Sequence, residues 1–359
     1  MVLTSSFAGS QPIALWVTPV GDVGGVARHV LDVARAGIPG WRLVVLCPEG
    51  PIVQELRQVG VAVLPAKIGP EHGIRTGLSE VHHAVSRLRP AVVHSHLAYA
   101  DLLVALGARD AVRVSTEHGI ADDDLVYHGS QARAALRARA HQLRVRRFHA
   151  LIAVSRATAA VMRRKWHVNA PITVIPNGID RTATAAAAAR QPGRRYLSLS
   201  RLSPEKRLTD LVAAFAEVVA EQSDATLTIA GEGCERARVE AAVASHGLDD
   251  QVTLPGFLDA DQAMATHDVV AQLSAFENCS YTLLDAVVNG LGVVASPVGG
   301  NPEILPHRCL ADPDATMDVA AALARQADTI AERPVLPADW PTVADMNQRI
   351  ADTYAEVAS

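Results

Sequence analysis

The chain has 359 residues, of which 49% are hydrophobic and 20% are charged, an ordinary composition for a globular protein with an ample core. Its length exceeds the roughly 100–200 residues of one typical domain, so we expect two domains. A formal net charge of −5 gives no general reason to expect nucleic-acid binding.

The cysteines and the N-terminal segment bear on the compartment of the protein. No pair of cysteines has metal-ligand or redox spacing, which fits a reducing environment. The segment MVLTSSFAGS lacks the basic start of a signal peptide, and the apolar run PIALWVTPV is far shorter than a membrane span. We therefore expect a cytoplasmic protein. The four cysteines are Cys47, Cys234, Cys279 and Cys309.

Short apolar runs alternate with longer alanine-rich segments along the first half of the chain. Segments such as GGVARHVLDVARA and TGLSEVHHAVSRL have the length and pattern of helices. Apolar runs without strict alternation are typical of strands buried on both faces of a parallel sheet, so this order predicts βαβ units. The predicted strands are PIALWVTPV, WRLVVLCP, VAVLPA, PAVVHSHL, VRVSTEHG, ALIAVS and ITVIPNG.

The alternation stops after Asp180 and then restarts. The segment RTATAAAAARQPGRR contains no large apolar residue and is the predicted linker. Helices are expected at about 206–221, 234–246 and 281–290. Two doubly wound domains in tandem, residues 1–188 and 189–338, would present their strand ends to one shared cleft, followed by a C-terminal helix in 339–359. The later strands are YLSLS, ATLTIAG, QVTLPG, VVAQLS and GVVASPVGG.

Two glycine-rich loops follow predicted strands. In PVGDVGGVARHV, Gly24 and Gly25 would let the backbone approach an anion at a helix N-terminus, although a plain glycine turn is an equal alternative. The spacing is not the dinucleotide fingerprint G-x-G-x-x-G, and no acid ends the next strand to hold a ribose. The segment GGNPEI, Gly299 to Ile304, repeats the arrangement and could also cradle a phosphate.

Charged residues mark two further loops. In SLSRLSPEKRLTDL, Arg201 and Lys206 precede a helix. Cations are disfavoured at that end of a helix, so we expect them to face an anionic ligand across the cleft. In ENCSYTLLD, Glu277 and Asp285 could accept hydrogen bonds from the vicinal hydroxyls of a sugar ring. The alternative is that Glu277 complements the helix dipole and Asp285 is solvated.

Taken in order, these motifs resemble those of the retaining glycosyltransferases of family 4, which have the GT-B fold. The resemblance spans about residues 12–310 and rests on GGVARHV, VVHSHL, STEHG, AVS, VIPNGID, SLSRLSPEKR, LTIAGEG, VTLPGF, the acid pair and VGGNPEIL. It implies an α/β fold of two Rossmann-like doubly wound domains facing a central cleft. The first would bind the acceptor and the second the nucleotide sugar. The segment DWPTVADMNQRIADTYAEV resembles the family's C-terminal helix, which crosses back to the first domain.

The resemblance assigns catalytic roles to four residues. Arg201 and Lys206 would hold the diphosphate of the donor and neutralise the leaving group, so that no metal and no other cofactor is expected. Glu277 would contact the transferred sugar. His118, in STEHG, would approach that sugar from the first domain, where a neutral imidazole can bond a hydroxyl or stabilise charge.

The donor-binding residues implied by the resemblance include two departures from the family pattern. Asp285 stands where the family usually has glutamate for the ribose hydroxyls. Cys279 and Ser280 stand where phenylalanine, followed by glycine or proline, is frequent, which leaves the donor sugar open. Backbone around residues 254–257 would meet the base. The donor-binding candidates are Gly24, Gly25, Gly256, Phe257, Asn278, Cys279, Ser280, Leu284 and Asp285.

The acceptor candidates are Arg28, His96 and Tyr99. A metal site at His94 and His96 is less expected than structural hydrogen bonding, for want of a third ligand nearby. Between Asp124 and Asp180 the chain has no acid, and basic residues accumulate over 133–165. A helix through Ala150 could lie on the inner face of an anionic membrane or receive a phosphorylated lipid. A solvated basic helix and a soluble acceptor are equal alternatives.

The resulting hypothesis is retaining transfer of a hexosyl unit from a nucleotide diphosphate sugar, with UDP favoured over GDP. The acceptor would be a hydroxyl of a glycan, a lipid-linked intermediate or a small metabolite. The alternatives are a GT-B nucleotide-sugar epimerase and a non-catalytic nucleotide-sugar-binding module. A nicotinamide-dependent dehydrogenase is disfavoured by the glycine spacing.

Overall fold

The computed structural model describes residues 11–22, 24–120, 139–181 and 190–358. In these residues the chain forms two parallel β-sheets, one of seven strands and one of five. None of their helices combines the length and the apolar character that crossing a bilayer requires.

The first sheet has the strand order β3-β2-β1-β4-β5-β6-β7, with every neighbouring pair parallel. Its strands occur at all seven apolar runs of the first half, because helices cover both faces and leave no side for polar residues. The strands are β1 (Ile13–Val17), β2 (Arg42–Cys47), β3 (Ala62–Pro65), β4 (Val92–His96), β5 (Val112–Glu117), β6 (Ala150–Ala153) and β7 (Ile172–Val174). The helices whose bounds lie within the described residues are α1 (Gly25–Ala36), α2 (Pro51–Gln58), α3 (Ile74–Leu88), α4 (Ala98–Gly107) and α5 (Arg156–Trp166).

The second sheet has the strand order β10-β9-β8-β11-β12, again parallel. The strand order reverses beside β8, and ligands bind at such switch points in doubly wound folds. The strands are β8 (Arg195–Leu199), β9 (Thr226–Ala230), β10 (Val252–Gly256), β11 (Val269–Gln272) and β12 (Gly292–Ala295). The helices are α6 (Leu208–Glu221), α7 (Arg236–Ser245), α8 (Ala260–Thr266), α9 (Tyr281–Val288), α10 (Asn301–Ile304) and α11 (Thr316–Asp328).

The last helix, α12 (Val343–Ala358), packs on the first domain. Its residues Met346, Ile350 and Tyr354 are buried in the same hydrophobic cluster as Trp16 of β1. The Tyr354 hydroxyl accepts a hydrogen bond from Trp16 Nε1 at 2.7 Å. The predicted fold class, two doubly wound domains with a C-terminal helix that crosses back, is confirmed.

One local expectation needs correction. The prediction of a helix through Ala150 is wrong, because Ala150–Ala153 is strand β6, hydrogen-bonded between β5 and β7.

Of the basic 133–165 stretch, residues 133–138 lie outside the described residues. So do residues 182–189, which contain most of the predicted linker, and the domain boundaries at 188/189 and 338/339 stay predictions. A 3-10 turn, Pro204–Lys206, precedes α6.

Candidate active site

The two domains meet where the strands of both sheets end. Asn278 Oδ1, in the second domain, accepts hydrogen bonds from Thr158 Oγ1 at 2.9 Å and from the Ile120 amide at 3.3 Å. Asn177 Nδ2, in the first domain, donates to the Cys279 carbonyl at 2.9 Å. The loop between β11 and α9 is therefore fixed against the first domain by hydrogen bonds from both sides.

Lys206 and Glu277 form an ion pair at this junction. Glu277 Oε1 accepts from Lys206 Nζ at 2.5 Å, from Gln272 Nε2 at 2.7 Å and from Ser274 Oγ at 2.8 Å. All three donors converge on one oxygen, and no other described residue bonds the second oxygen. The carboxylate is thus held in one orientation with Oε2 able to accept a hydrogen bond from a ligand hydroxyl.

Arg201 lies on the same loop but is held differently. Its side chain is 77% exposed, and its Nη2 donates to Glu205 Oε1 at 3.1 Å. Glu205 is buried and also accepts from Ser203 Oγ at 2.6 Å. The sequence reasoning missed Glu205, Gln272 and Ser274 as supports of the site. Two signals in the sequence could have indicated these supports. One is the acid between two cations in the 201–206 loop, and the other is the glutamine within the apolar run VVAQLS.

Arg28 of α1 bridges the domains to Asp285 of α9. Its Nη2 donates to Asp285 Oδ1 at 2.8 Å, and its Nη1 donates to Oδ2. The guanidinium carbon lies 4.5 Å from the centre of the Tyr281 ring. Burial raises the pKa of the Asp285 carboxyl, although Arg28 opposes that shift. The predicted acceptor residue and the predicted ribose residue are therefore partners, bordering a cavity of about 460 Å³.

His118 follows β5 and is partly buried at the junction. Its Nε2 lies 2.9 Å from Nδ1 of His96, and the centre of its ring lies 4.7 Å from that of His29. Burial lowers the pKa values of His96 and His118 well below the usual range, so both imidazoles are neutral. His96 is fully buried behind His118 and offers no surface to an acceptor, contrary to its predicted role.

His94 and His96 differ in how they match the predicted structural role. His94 makes structural hydrogen bonds, to Tyr354 Oη at 2.6 Å and to Thr116 Oγ1 at 2.7 Å. The statement that His96 lacks further ligands nearby is wrong, because His29 and His118 each place a ring nitrogen within 4.8 Å of it. His29 comes from α1, far away in sequence, and no spacing rule links it to His96.

A buried charge network lies beneath His118. Arg144 donates to Glu117 Oε2 at 2.6 Å and pairs with Asp101 at 3.3 Å. Burial raises the pKa of the Glu117 carboxyl to about 7, against the effect of Arg144. Arg144 also packs over the Trp166 ring. This arginine of the basic stretch is therefore part of the core and cannot face a membrane.

The remaining donor candidates divide into open and buried positions. Gly24 and Gly25 begin α1 facing open space, and Phe257 is 77% exposed beside Gly256, which has a φ of 85°. Leu284 is fully buried in the core, so its side chain cannot contact a donor.

Three other candidates are buried or partly buried. The Ser280 hydroxyl caps α9 and donates to Gln272 Oε1 at 2.9 Å. Tyr99, an acceptor candidate, packs partly buried against the core of the first domain. Burial raises the pKa of the Cys279 thiol to about 12, so this cysteine stays protonated.

The second glycine loop also makes a contact with the first domain, and its predicted phosphate binding stays a prediction. Glu303 of α10 accepts hydrogen bonds from the Arg156 amide at 3.1 Å and the Ala157 amide at 2.9 Å, at the N-terminus of α5. Gly299 has a φ of 53°, and a Cβ there would lie 1.5 Å from the Glu277 carbonyl oxygen. The glycines thus allow α10 to pack against the Glu277 loop, while the Glu303 carboxylate lies at the N-terminus of α5, a position that favours an anion.

Comparison with known proteins places this site in a family. Residues 23–183 match the model for Glycosyltransferase Family 4, and residues 193–329 match the model for Glycosyl transferases group 1. The glycogen synthase of Mycobacterium tuberculosis is 29% identical over 93% of this chain and 92% of its own length. The 2-deoxystreptamine glucosyltransferase of Streptomyces kanamyceticus is 32% identical over 36% of this chain and 37% of its own.

A solved structure shares the whole architecture. The crystal structure of Anabaena HepE in complex with UDP-glucose has a TM-score of 0.78 and 21% identity, covering 96% of this chain and all of its own. The two family models match successive halves of the chain, and the superposition covers both domains. The chain belongs to the family 4 glycosyltransferases and has their GT-B fold.

Proposed function

We propose that the protein transfers a hexosyl unit from a nucleotide diphosphate sugar to an acceptor hydroxyl, with retained configuration and without a metal. The observation that carries the proposal is the Lys206–Glu277 pair, with Arg201 on the same loop. A cation and an oriented carboxylate at a strand-end junction suit a ligand that joins a diphosphate to a sugar. A UDP-sugar is favoured, in keeping with the UDP-glucose bound by the structural neighbour.

In this proposal the two cations act on the diphosphate, and Glu277 and His118 act on the sugar. Lys206 and Arg201 stabilise the departing diphosphate, where negative charge develops as the glycosidic bond breaks. Glu277 Oε2 accepts a hydrogen bond from a hydroxyl of the sugar. His118, neutral because it is buried, bonds the sugar from the other domain. No protein nucleophile is invoked, and the acceptor's proton passes to the donor phosphate.

The acceptor is proposed only as a class. A glycan hydroxyl is supported by similarity to a glycogen synthase along nearly the whole chain. A small metabolite is supported by the shorter match to a 2-deoxystreptamine glucosyltransferase. A lipid-linked acceptor at the inner face of the membrane would bind at the basic stretch. Arg144 of that stretch is buried in an ion pair with Glu117 and would not take part. Action in the cytoplasm completes the proposal, and peripheral membrane contact belongs to it only with a lipid-linked acceptor.

Thermal-shift binding of UDP-, GDP-, ADP- and dTDP-sugars tests the donor site. We expect one nucleotide class to stabilise the wild type, Lys206→Ala to abolish the shift, and Lys67→Ala, at an exposed lysine, to preserve it. Equal shifts in both variants would contradict the role of Lys206. Sugar-nucleotide turnover without an acceptor would indicate the epimerase alternative. Once an acceptor is found, NMR of the product anomer tests retention, and turnover in a chelator tests metal independence.

A further inference from the structure

Three histidines from three different elements converge beside the proposed sugar site. His29 lies on α1, His96 ends β4 and His118 follows β5, and one ring nitrogen of each lies within 4.8 Å of the others. The Nε2 atom of His29 is buried and has no hydrogen-bond partner among the described residues. Buried polar atoms without partners are rare and costly, so this cluster calls for a function.

The hydrogen bond between Asn177 and His29 defines which nitrogen of His29 is free. Asn177 Nδ2 donates to the Cys279 carbonyl, so the amide turns its Oδ1 toward His29 Nδ1 at 3.2 Å. His29 Nδ1 must then carry the proton, and Nε2 has an unshared lone pair. An imidazole whose outer N–H donates to an oxygen is the usual arrangement of a metal-binding histidine.

His96 and His118 already have a spacing close to that of two ligands of one ion. Their facing nitrogens lie 2.9 Å apart, and in a tetrahedral zinc site with bonds of about 2.0–2.1 Å the ligand nitrogens lie roughly 3.3 Å apart. Burial lowers the pKa of all three imidazoles, which keeps them in the neutral form that metals bind. Binding requires one imidazole of the facing pair to move its proton to its other nitrogen, with no change of charge.

We propose that His29, His96 and His118 form a binding site for one divalent transition-metal ion such as Zn²⁺ or Co²⁺. Three imidazoles suit these ions, and the partly exposed edge of His118 leaves the fourth position toward the domain junction. Trp16 supports the site from behind, since its ring is stacked on His29 and lies 4.3 Å from the centre of His96.

The ion would act as an inhibitor of the proposed reaction. Metal coordination takes the His118 nitrogen that faces His96 and fixes the ring, so the imidazole can no longer adjust to a sugar hydroxyl. This consequence rests on the proposed function of His118, whereas metal binding itself does not. Transfer without a metal and inhibition by Zn²⁺ are therefore compatible expectations.

Titration of the chelator-treated full chain with Co²⁺ tests the site, read by visible ligand-field absorption and by metal content after dialysis. We expect one Co²⁺ per chain, displaced by Zn²⁺. Removing only the hydrogen bond that orients a metal ligand weakens metal binding by about 10–100-fold. His29→Gln removes the ligand itself, so we expect Co²⁺ affinity to fall by more than about 100-fold. His246→Gln, at an exposed histidine bonded only within its own helix end, is the matched control.

Two further measurements keep the result interpretable. Thermal shift with UDP reports whether each variant retains its fold and donor site, and His118→Gln provides a second ligand variant if His29→Gln does not fold. Absence of ligand-field absorption, or equal Co²⁺ affinity in the wild type and both ligand variants, would overturn the metal site. Co²⁺ binding without binding of a UDP-, GDP-, ADP- or dTDP-sugar would instead overturn the proposed function and leave the metal site intact.

Discussion

At the scale of single residues, the orientation of Glu277 is tightly constrained in the proposed site. Three donors hold one carboxylate oxygen, and two of them, Gln272 and Ser274, lie in or just after β11. The sequence motif predicted the acid but could not indicate which oxygen would be free. That information comes from neighbours brought together by the sheet.

Glu277→Gln tests whether this carboxylate acts on the sugar. The substitution keeps the shape and removes the charge, so we expect kcat to fall by about 100-fold with little change in UDP affinity. Steady-state kinetics and calorimetry with UDP measure the two effects separately. A loss of UDP affinity as large as the loss of kcat would mean that Glu277 acts mainly by holding Lys206.

Asp285 and Arg28 should differ in their effects on the nucleotide, because only the aspartate is proposed to touch the ribose. Asp285→Ala is expected to weaken UDP binding by about tenfold, the loss of about 1.4 kcal/mol of hydrogen bonding. Arg28→Ala should leave UDP affinity within about threefold. Calorimetry with UDP on both variants is the measurement, and equal losses would show that the ion pair acts as one unit.

At the scale of elements, α10 and α5 interact across the domain junction through Glu303. The carboxylate accepts two amide hydrogen bonds at the start of α5, where the helix dipole favours a negative charge. The phosphate predicted at this loop rests on its paired glycines before a helix and stays a prediction. Nothing within GGNPEI shows that its own glutamate will reach a helix of the other domain.

Glu303→Gln is expected to weaken this contact while leaving both domains folded. The loss should be about 1 kcal/mol, the size of a capping and helix-dipole interaction. Hydrogen exchange at the first turn of α5 measures it, and we expect faster exchange there than in the wild type. Glu49→Gln, at an exposed acid of the first domain, is the control, and equal exchange in both variants would contradict the capping role.

The strands were predictable from sequence because both sheets are buried on both faces. Their apolar runs are local signals, and all twelve predicted strands are present. The errors occurred where distant parts of the chain meet. Arg28 and Asp285, 257 positions apart, pair across the junction. Arg144 of the basic stretch is buried against Glu117, which arginine content alone does not reveal.

At the scale of the whole molecule, α12 connects the end of the chain to the first strand. The Tyr354 hydroxyl bonds both Trp16 Nε1 and His94 Nδ1, and all three side chains are fully buried. The second domain is thus held to the first by its own C-terminal extension as well as by contacts at the cleft.

Tyr354→Phe is expected to destabilise the first domain by about 2–4 kcal/mol, since it leaves two buried polar groups without partners. Chemical denaturation followed by hydrogen exchange in β1 and β4 measures the effect. Tyr281→Phe is a matched control, because the Tyr281 hydroxyl has no hydrogen-bond partner among the described residues. Similar losses in the two variants would contradict the bridging role of Tyr354.

The return of α12 also affects the order in which the protein folds during synthesis. The cluster around Trp16 includes Met346, Ile350 and Tyr354, which are translated more than 300 residues after β1 begins. Domains usually fold in order from the N-terminus as they leave the ribosome. Here the first domain cannot complete its core until the second has been synthesised, and the apolar surface that α12 covers stays exposed until then. We therefore expect ribosome-bound chains that lack α12 to depend on chaperones more than the finished protein does.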